Sequence, residues 1–188
     1  MLVIVAPGQG SQTPGMLAPW LDLPHFGARL DWLSTVAGVD LRTHGTTSDA
    51  DTIRDTAIAQ PLIVGTGLVS LLELFPHPSD AFRVIGAGAG HSVGEITYAA
   101  AAGVLSAEQA MVFVRERGRA MAAAAAAGEP TGMAAVLGGD RDNVLAKIAQ
   151  HGLTAANDNG AGQIVAMLAD WNTHLGQPQA ESQDQQIP

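Results

Sequence analysis

The chain has 188 residues, and 18 acidic against 9 basic side chains leave a net charge of −9. With 47% hydrophobic and 14% charged residues it can bury a core, which excludes a disordered chain. A pI near 4.8 argues against nucleic acid and against an anionic membrane surface, since both need clustered basic charge. The absence of cysteine excludes a disulfide scaffold, a thiolate metal site and a cysteine nucleophile.

In chain order, Leu2–Ala6 is a short apolar run stopped by Pro7-Gly8, the pattern of a buried parallel strand. It has no basic n-region and ends too early for a signal peptide, which reads as a cytoplasmic protein. Gly8–Gln12 reads as a loop, and residues 16–45 have weak helical periodicity that defines no element. Pro61 to Leu74 is expected as a buried helix with Pro61 in its first turn, and no apolar run approaches the ~18 residues of a membrane span. Phe82–Ala87 reads as a second buried strand, and Ile96–Ala102 as an Ala-rich helix stopping at Gly103. Ser106-Ala107-Glu108-Gln109 is a capping box opening a helix through Met111, Val114 and Met121 to about Ala127. Gly128–Gly132 reads as a linker, after which Met133–Leu137 (strand), Asp140–His151 (amphipathic helix) and Gln163–Leu168 (strand) suggest the opening β-α-β half of a small α+β subdomain. The remainder from Gly176 is polar and core-free, the composition of a disordered tail.

Gly90-His91-Ser92-Val93-Gly94 is the most informative stretch, a G-x-S-x-G between an expected strand and an expected helix. Such a turn throws the serine hydroxyl outward, glycines on either side relieve crowding, and the next helix aims its first amides at the site. A Gly-rich turn with an incidental serine shares the pattern. The glycines at 8–10 and 86–90 lack the Lys-Ser/Thr ending of a P-loop, and the scattered histidines lack metal-ligand spacing.

Three motifs in register, Pro7-Gly8-Gln9-Gly10-Ser11-Gln12, Gly90–Glu95 and Arg117-Gly118-Arg119-Ala120-Met121, resemble the malonyl-CoA:acyl-carrier-protein transacylase family. Gln60-Pro61 and Asn157…Gly162–Val165 fall in order too, so the resemblance covers about residues 1–166, nearest to the actinobacterial fatty-acid synthesis enzymes. It implies that Ser92 attacks malonyl-CoA and holds the malonyl group as an ester. It further implies that the backbone N–H groups of Gln9 and Val93 bind the oxyanion and that Arg117 grips the malonyl carboxylate. Acyl carrier protein, through its phosphopantetheine thiol, would be the acceptor, with no cofactor, metal, nucleic acid or membrane involved. His91, on another side of the elbow, is expected to support the substrate site rather than deprotonate Ser92. Arg115 and Arg119 read as solvated helix arginines, and Asn157 and Asn159 read equally as an ordinary turn.

The implied fold is an incomplete α/β hydrolase-like parallel-sheet subdomain over 1–128, the first half of a ferredoxin-like subdomain over 129–168, and a divergent polar tail over 169–188. The family's base histidine, in a Phe-His-Ser-like motif, has no counterpart, and His174 matches neither neighbours nor position. The sequence departs from the family after Gln163–Ala166, as a C-terminal truncation would produce, so little transferase activity is expected. A serine hydrolase or thioesterase, which shares the elbow, and a non-catalytic remnant that binds acyl-CoA remain as alternatives.

Overall fold

The computed structural model describes residues 1–128, 131–160 and 162–169. The chain forms two compact units, Met1–Ala123 and Ala124–Pro188. The polar segment from 170 onward, His174 included, lies outside the described residues, as do Glu129 and Pro130 of the expected linker.

The first unit is built around one helix. β1 (Leu2–Ala6) leads through a short 3₁₀ turn to α1 (Phe26–Ala37) and α2 (Leu41–Thr46), both starting within the stretch for which the sequence defined no element. α1 buries Phe26, Leu30, Leu33 and Ala37, a three-to-four-residue spacing that lines one helix face. α3 (Thr56–Leu74) begins five residues before the expected Pro61, because Asp55 accepts a hydrogen bond from the Ala57 amide and caps an earlier start. Pro61 therefore sits inside α3, five residues past its start, rather than in the first turn where a missing N–H is tolerated. Ala59 to Gly65 are buried on every side, so α3 is the core about which α1, α2 and two later helices gather. Contrary to the sequence expectation, α3 is long and apolar enough to cross a membrane by length and composition, but half of that window is buried within this fold.

α4 (Pro78–Val84) takes residues expected in the second strand, and β2 is Ile85–Gly90. Pro78 in its first turn and Asp80 near its N-terminus favour that helical turn over an earlier strand. β2 pairs in parallel with β1, Val3 opposite Ala87 and Ala6 opposite Gly90. The strands are not buried as expected: within β1 only Ala6 is buried, and Val5 is 70% exposed. Among the described residues β1 and β2 each pair with a single strand, so their sheet has two edges and no central strand. α5 (Gly94–Ala101) and α6 (Ala107–Ala127) follow. The capping box forms in both directions, Gln109 N–H to Ser106 Oγ at 3.1 Å and Ser106 N–H to Gln109 Oε1 at 2.9 Å.

In the second unit β3 (Thr131–Leu137) absorbs the last two residues of the expected linker, and α7 (Arg141–Gln150) is capped by Asp140. The sequence reading missed β4 (Thr154–Asp158), which is exposed throughout and short of apolar residues. β5 (Gln163–Ala169) lies between β3 and β4, antiparallel to both. The two strands flanking α7 are thus parallel with a third inserted between them, a split β-α-β rather than a simple one.

Candidate active site

Ser92 stands between β2 and α5 with φ +53°, a left-handed conformation that costs a non-glycine residue about 1–2 kcal/mol. The glycines around it leave no alternative packing. A Cβ on Gly90 would overlap the Glu95 amide, and one on Gly94 would overlap the Ala6 carbonyl, so strand and helix meet as bare backbone. His91 N–H donates to Ala6 O at 3.0 Å and ties the elbow to β1. The first turn of α5 closes with Gly94 N–H to His91 O at 2.9 Å and Glu95 N–H to Ser92 O at 3.1 Å. The N–H groups of Gln9 and Val93, by contrast, have no acceptor among the described residues. Val93 itself is fully buried at the head of α5.

Arg117 reaches this elbow from the middle of α6. Its Nη2 donates to Ser92 Oγ at 3.4 Å, and its Nη1 donates to Gln60 Oε1 at 2.6 Å. Gln60, 1% exposed, in turn donates through Nε2 to Gln9 Oε1 and to Met121 Sδ, each at 3.3 Å. Gln9 donates onward to Thr56 Oγ1 at 3.1 Å. A further polar contact closes the loop, Ser11 Oγ to Gly8 O at 2.9 Å. Four sequence-selected residues, Gln9, Ser92, Val93 and Arg117, thus converge with Gln60, which the sequence marked only as an in-order match.

His91 is exposed, and its ring lies against Gly8, where an added Cβ would fall 2.5 Å from Nδ1. Ser92 Oγ accepts from Arg117 Nη2. Asn157 and Asn159 belong to the second unit, where Asn159 Nδ2 donates to Gln163 Oε1 at 2.7 Å across the β4–β5 turn. A cavity of about 570 Å³ between β1 and α3 is lined by neither Ser92, Arg117, Gln60 nor Gln9, so the reactive geometry lies outside this hollow.

The charge around Arg117 is unusual for this chain. Arg29, Arg42, Arg54, Arg83, Arg115, Arg119 and Arg141 each have a carboxylate at 4.0 Å or closer. Arg117 has none among the described residues, although acids outnumber bases two to one. Its partners are a neutral amide and a neutral hydroxyl, which leave the guanidinium charge available to an anion beside Ser92.

The chain matches the acyl transferase domain over residues 3–169. It is 50% identical over 171 residues to the malonyl CoA-acyl carrier protein transacylase of Mycobacterium tuberculosis, covering 88% of this chain and 54% of that protein. A crystal structure of MCAT from Mycobacterium tuberculosis superposes with a TM-score of 0.80 at 48% identity, over 89% of this chain and 55% of that one. A type II polyketide-synthase acyl-carrier protein in complex with its malonyl-transacylase gives 0.74 at 28% identity, over 89% and 54%. The chain thus spans about half the length of the relatives it matches. An elbow serine at positive φ, a carboxylate-free arginine turned toward it and half-identity to a mycobacterial relative agree: this chain belongs to the acyl transferase domain family, alongside the malonyl-CoA:acyl-carrier-protein transacylases.

Proposed function

We propose that this chain carries the nucleophile half of a malonyl transfer from coenzyme A to acyl carrier protein. The observation that supports it best is Arg117 Nη2 at 3.4 Å from Ser92 Oγ with no carboxylate partner among the described residues. Ser92 Oγ attacks the thioester carbonyl of malonyl-CoA, the C–S bond breaks, and the serine proton ends on the coenzyme A sulfur. The carrier's phosphopantetheine thiol then reverses the step and takes the malonyl group. Atoms and electrons balance without a cofactor. The Gln9 and Val93 amides are the oxyanion donors in this reading, and Arg117 holds the distal carboxylate. His91 packs on Gly8 and steadies the loop that presents Gln9. Malonyl-CoA and acyl carrier protein as partners are supported by the relatives' names and by the carrier-bound neighbour. The same reading puts the reaction in the cytoplasm.

The geometry alone also suits a serine hydrolase, which would differ in resolving the acyl ester with water rather than with a thiol. Incubation with malonyl-CoA radiolabelled in the malonyl group, followed by denaturing electrophoresis, separates the readings. Label retained on the protein supports transfer, free malonate with no retained label supports hydrolysis, and unchanged malonyl-CoA supports a non-catalytic remnant.

A further inference from the structure

We infer that Gln60 sets the preference for a carboxylated acyl group, by aiming Arg117 while leaving its positive charge uncompensated. This rests on the carboxylate role proposed for Arg117. Gln60 is one of two buried polar side chains among the described residues. It projects from the most deeply packed part of α3, where Ala59, Pro61, Leu62 and Ile63 are buried around it, so its backbone is held by the core. Its Oε1 accepts the shortest hydrogen bond Arg117 makes, 2.6 Å to Nη1, and that bond leaves Nη2 turned toward Ser92.

The identity of the side chain matters as much as its place. A carboxylate there would hold the guanidinium as firmly, but it would also neutralise it and compete with the substrate's carboxylate for the same donors. A glutamine accepts from Arg117 without that competition. Its amide nitrogen supplies two donors, to Gln9 Oε1 and Met121 Sδ, which a glutamate could not provide. The link to Gln9 ties the arginine's anchor to the Gly8–Gln12 loop. The acidic neighbour on α6 is also diverted: Glu116 Oε1 accepts from Arg115 Nε at 2.7 Å and lies 4.0 Å from Arg119 Nη1. Its flanking arginines thus occupy the carboxylate nearest Arg117 in sequence, and Gln60 remains as the neutral anchor. Gln60 is a positioning residue, since it acts through Arg117.

The test is calorimetric titration of the full chain with malonyl-CoA and with acetyl-CoA, comparing the ratio of affinities in five proteins. The parent should prefer malonyl-CoA, Arg119→Ala should keep that ratio, and Arg117→Ala should abolish it. Gln60→Glu, which is isosteric, should lower the ratio about tenfold or more, and Gln60→Met, neutral but without an acceptor, should lower it as well. A parent without preference, unchanged by Arg117→Ala, overturns the carboxylate reading and this inference together. A parent preference that Arg117→Ala removes but both Gln60 variants retain overturns this inference alone. Equal weakening of both ligands, with the ratio intact, overturns it too, since it would mark Gln60 as a packing residue only. If Gln60→Glu fails to fold, the Gln60→Met ratio decides.

Discussion

At the residue scale the chemistry is concentrated in Ser92 and Arg117. The serine's positive φ is a local cost that its bare-backbone surroundings enforce, since neither Gly90 nor Gly94 has room for a Cβ. Gly94→Ala should therefore destabilise the chain by about 1–3 kcal/mol, the range for forcing extra atoms into packed structure, as read by the urea midpoint. An unchanged midpoint would show that β1 can move away from the elbow freely. Arg117→Ala should cost malonyl-CoA about 2 kcal/mol, the low end for a desolvated charge pair because Arg117 is half-buried, or about thirtyfold in affinity. Acetyl-CoA has no carboxylate to lose and should change much less. The elbow and the arginine were legible because each is a short motif at a defined spacing. Arg117's lack of a carboxylate was not, because seven other arginines look alike in sequence and only folding distributes the acids among them.

At the element scale the site depends on how closely α6 approaches α3. A Cβ on Gly118 would fall 2.9 Å from Thr56 O, so Gly118 lets α6 lie directly on the first turn of α3. Gly118→Val should push the helices apart, lengthen the Arg117–Gln60 bond and lower malonyl-CoA affinity more than it lowers thermal stability. A loss of stability with binding intact would contradict that coupling. The helix caps carry a separate, pH-dependent contribution. Two hydrogen bonds from Arg42, 2.8 and 2.7 Å long, hold the Asp31 carboxyl below the usual range, and the Thr43 backbone amide does the same for Asp40 at the start of α2. Groups with lowered folded-state pKa stabilise the fold at pH above the ordinary carboxylate range, and that stability is lost as pH falls through their lowered values. The melting temperature should thus drop in acid, and Asp40→Ala should flatten part of that slope while costing about 1 kcal/mol at neutral pH. The α6 capping box was readable because both partners lie three residues apart. The start of α3 was not, since Pro61 pointed to a first turn while Asp55, six residues earlier, supplied the cap. β4 escaped because an exposed Thr-Ala-Ala-Asn-Asp strand has no apolar alternation to display.

At the scale of the molecule, the first unit brings Gln9, Gln60, Ser92, Val93 and Arg117 together within itself. Leu2–Ala6 was legible as a strand of parallel type from an apolar run ended by Pro7-Gly8, whereas its pairing with β2 and its exposure were not, because both depend on neighbours a local pattern cannot supply. Arg117 is the hydrogen-bond partner that the structure gives Ser92 Oγ, and the expected lack of a base histidine is open to a test of rate. General-base help is worth about 10²–10⁴-fold. Acylation of this chain should accordingly be slower by about that factor than acylation of the Mycobacterium tuberculosis relative under the same conditions. Matching rates would mean that a base reaches Ser92 from this chain after all, His91 being the nearest in sequence.

The most direct test of the central claim is mass spectrometry of the chain and of Ser92→Ala after prolonged incubation with malonyl-CoA, with the adduct located by peptide mapping. A malonyl adduct confined to the peptide that contains Ser92, accumulating slowly in the parent and absent from Ser92→Ala, is the expected result. An adduct on another residue, or one of equal extent in Ser92→Ala, would contradict the assignment of Ser92 as the nucleophile.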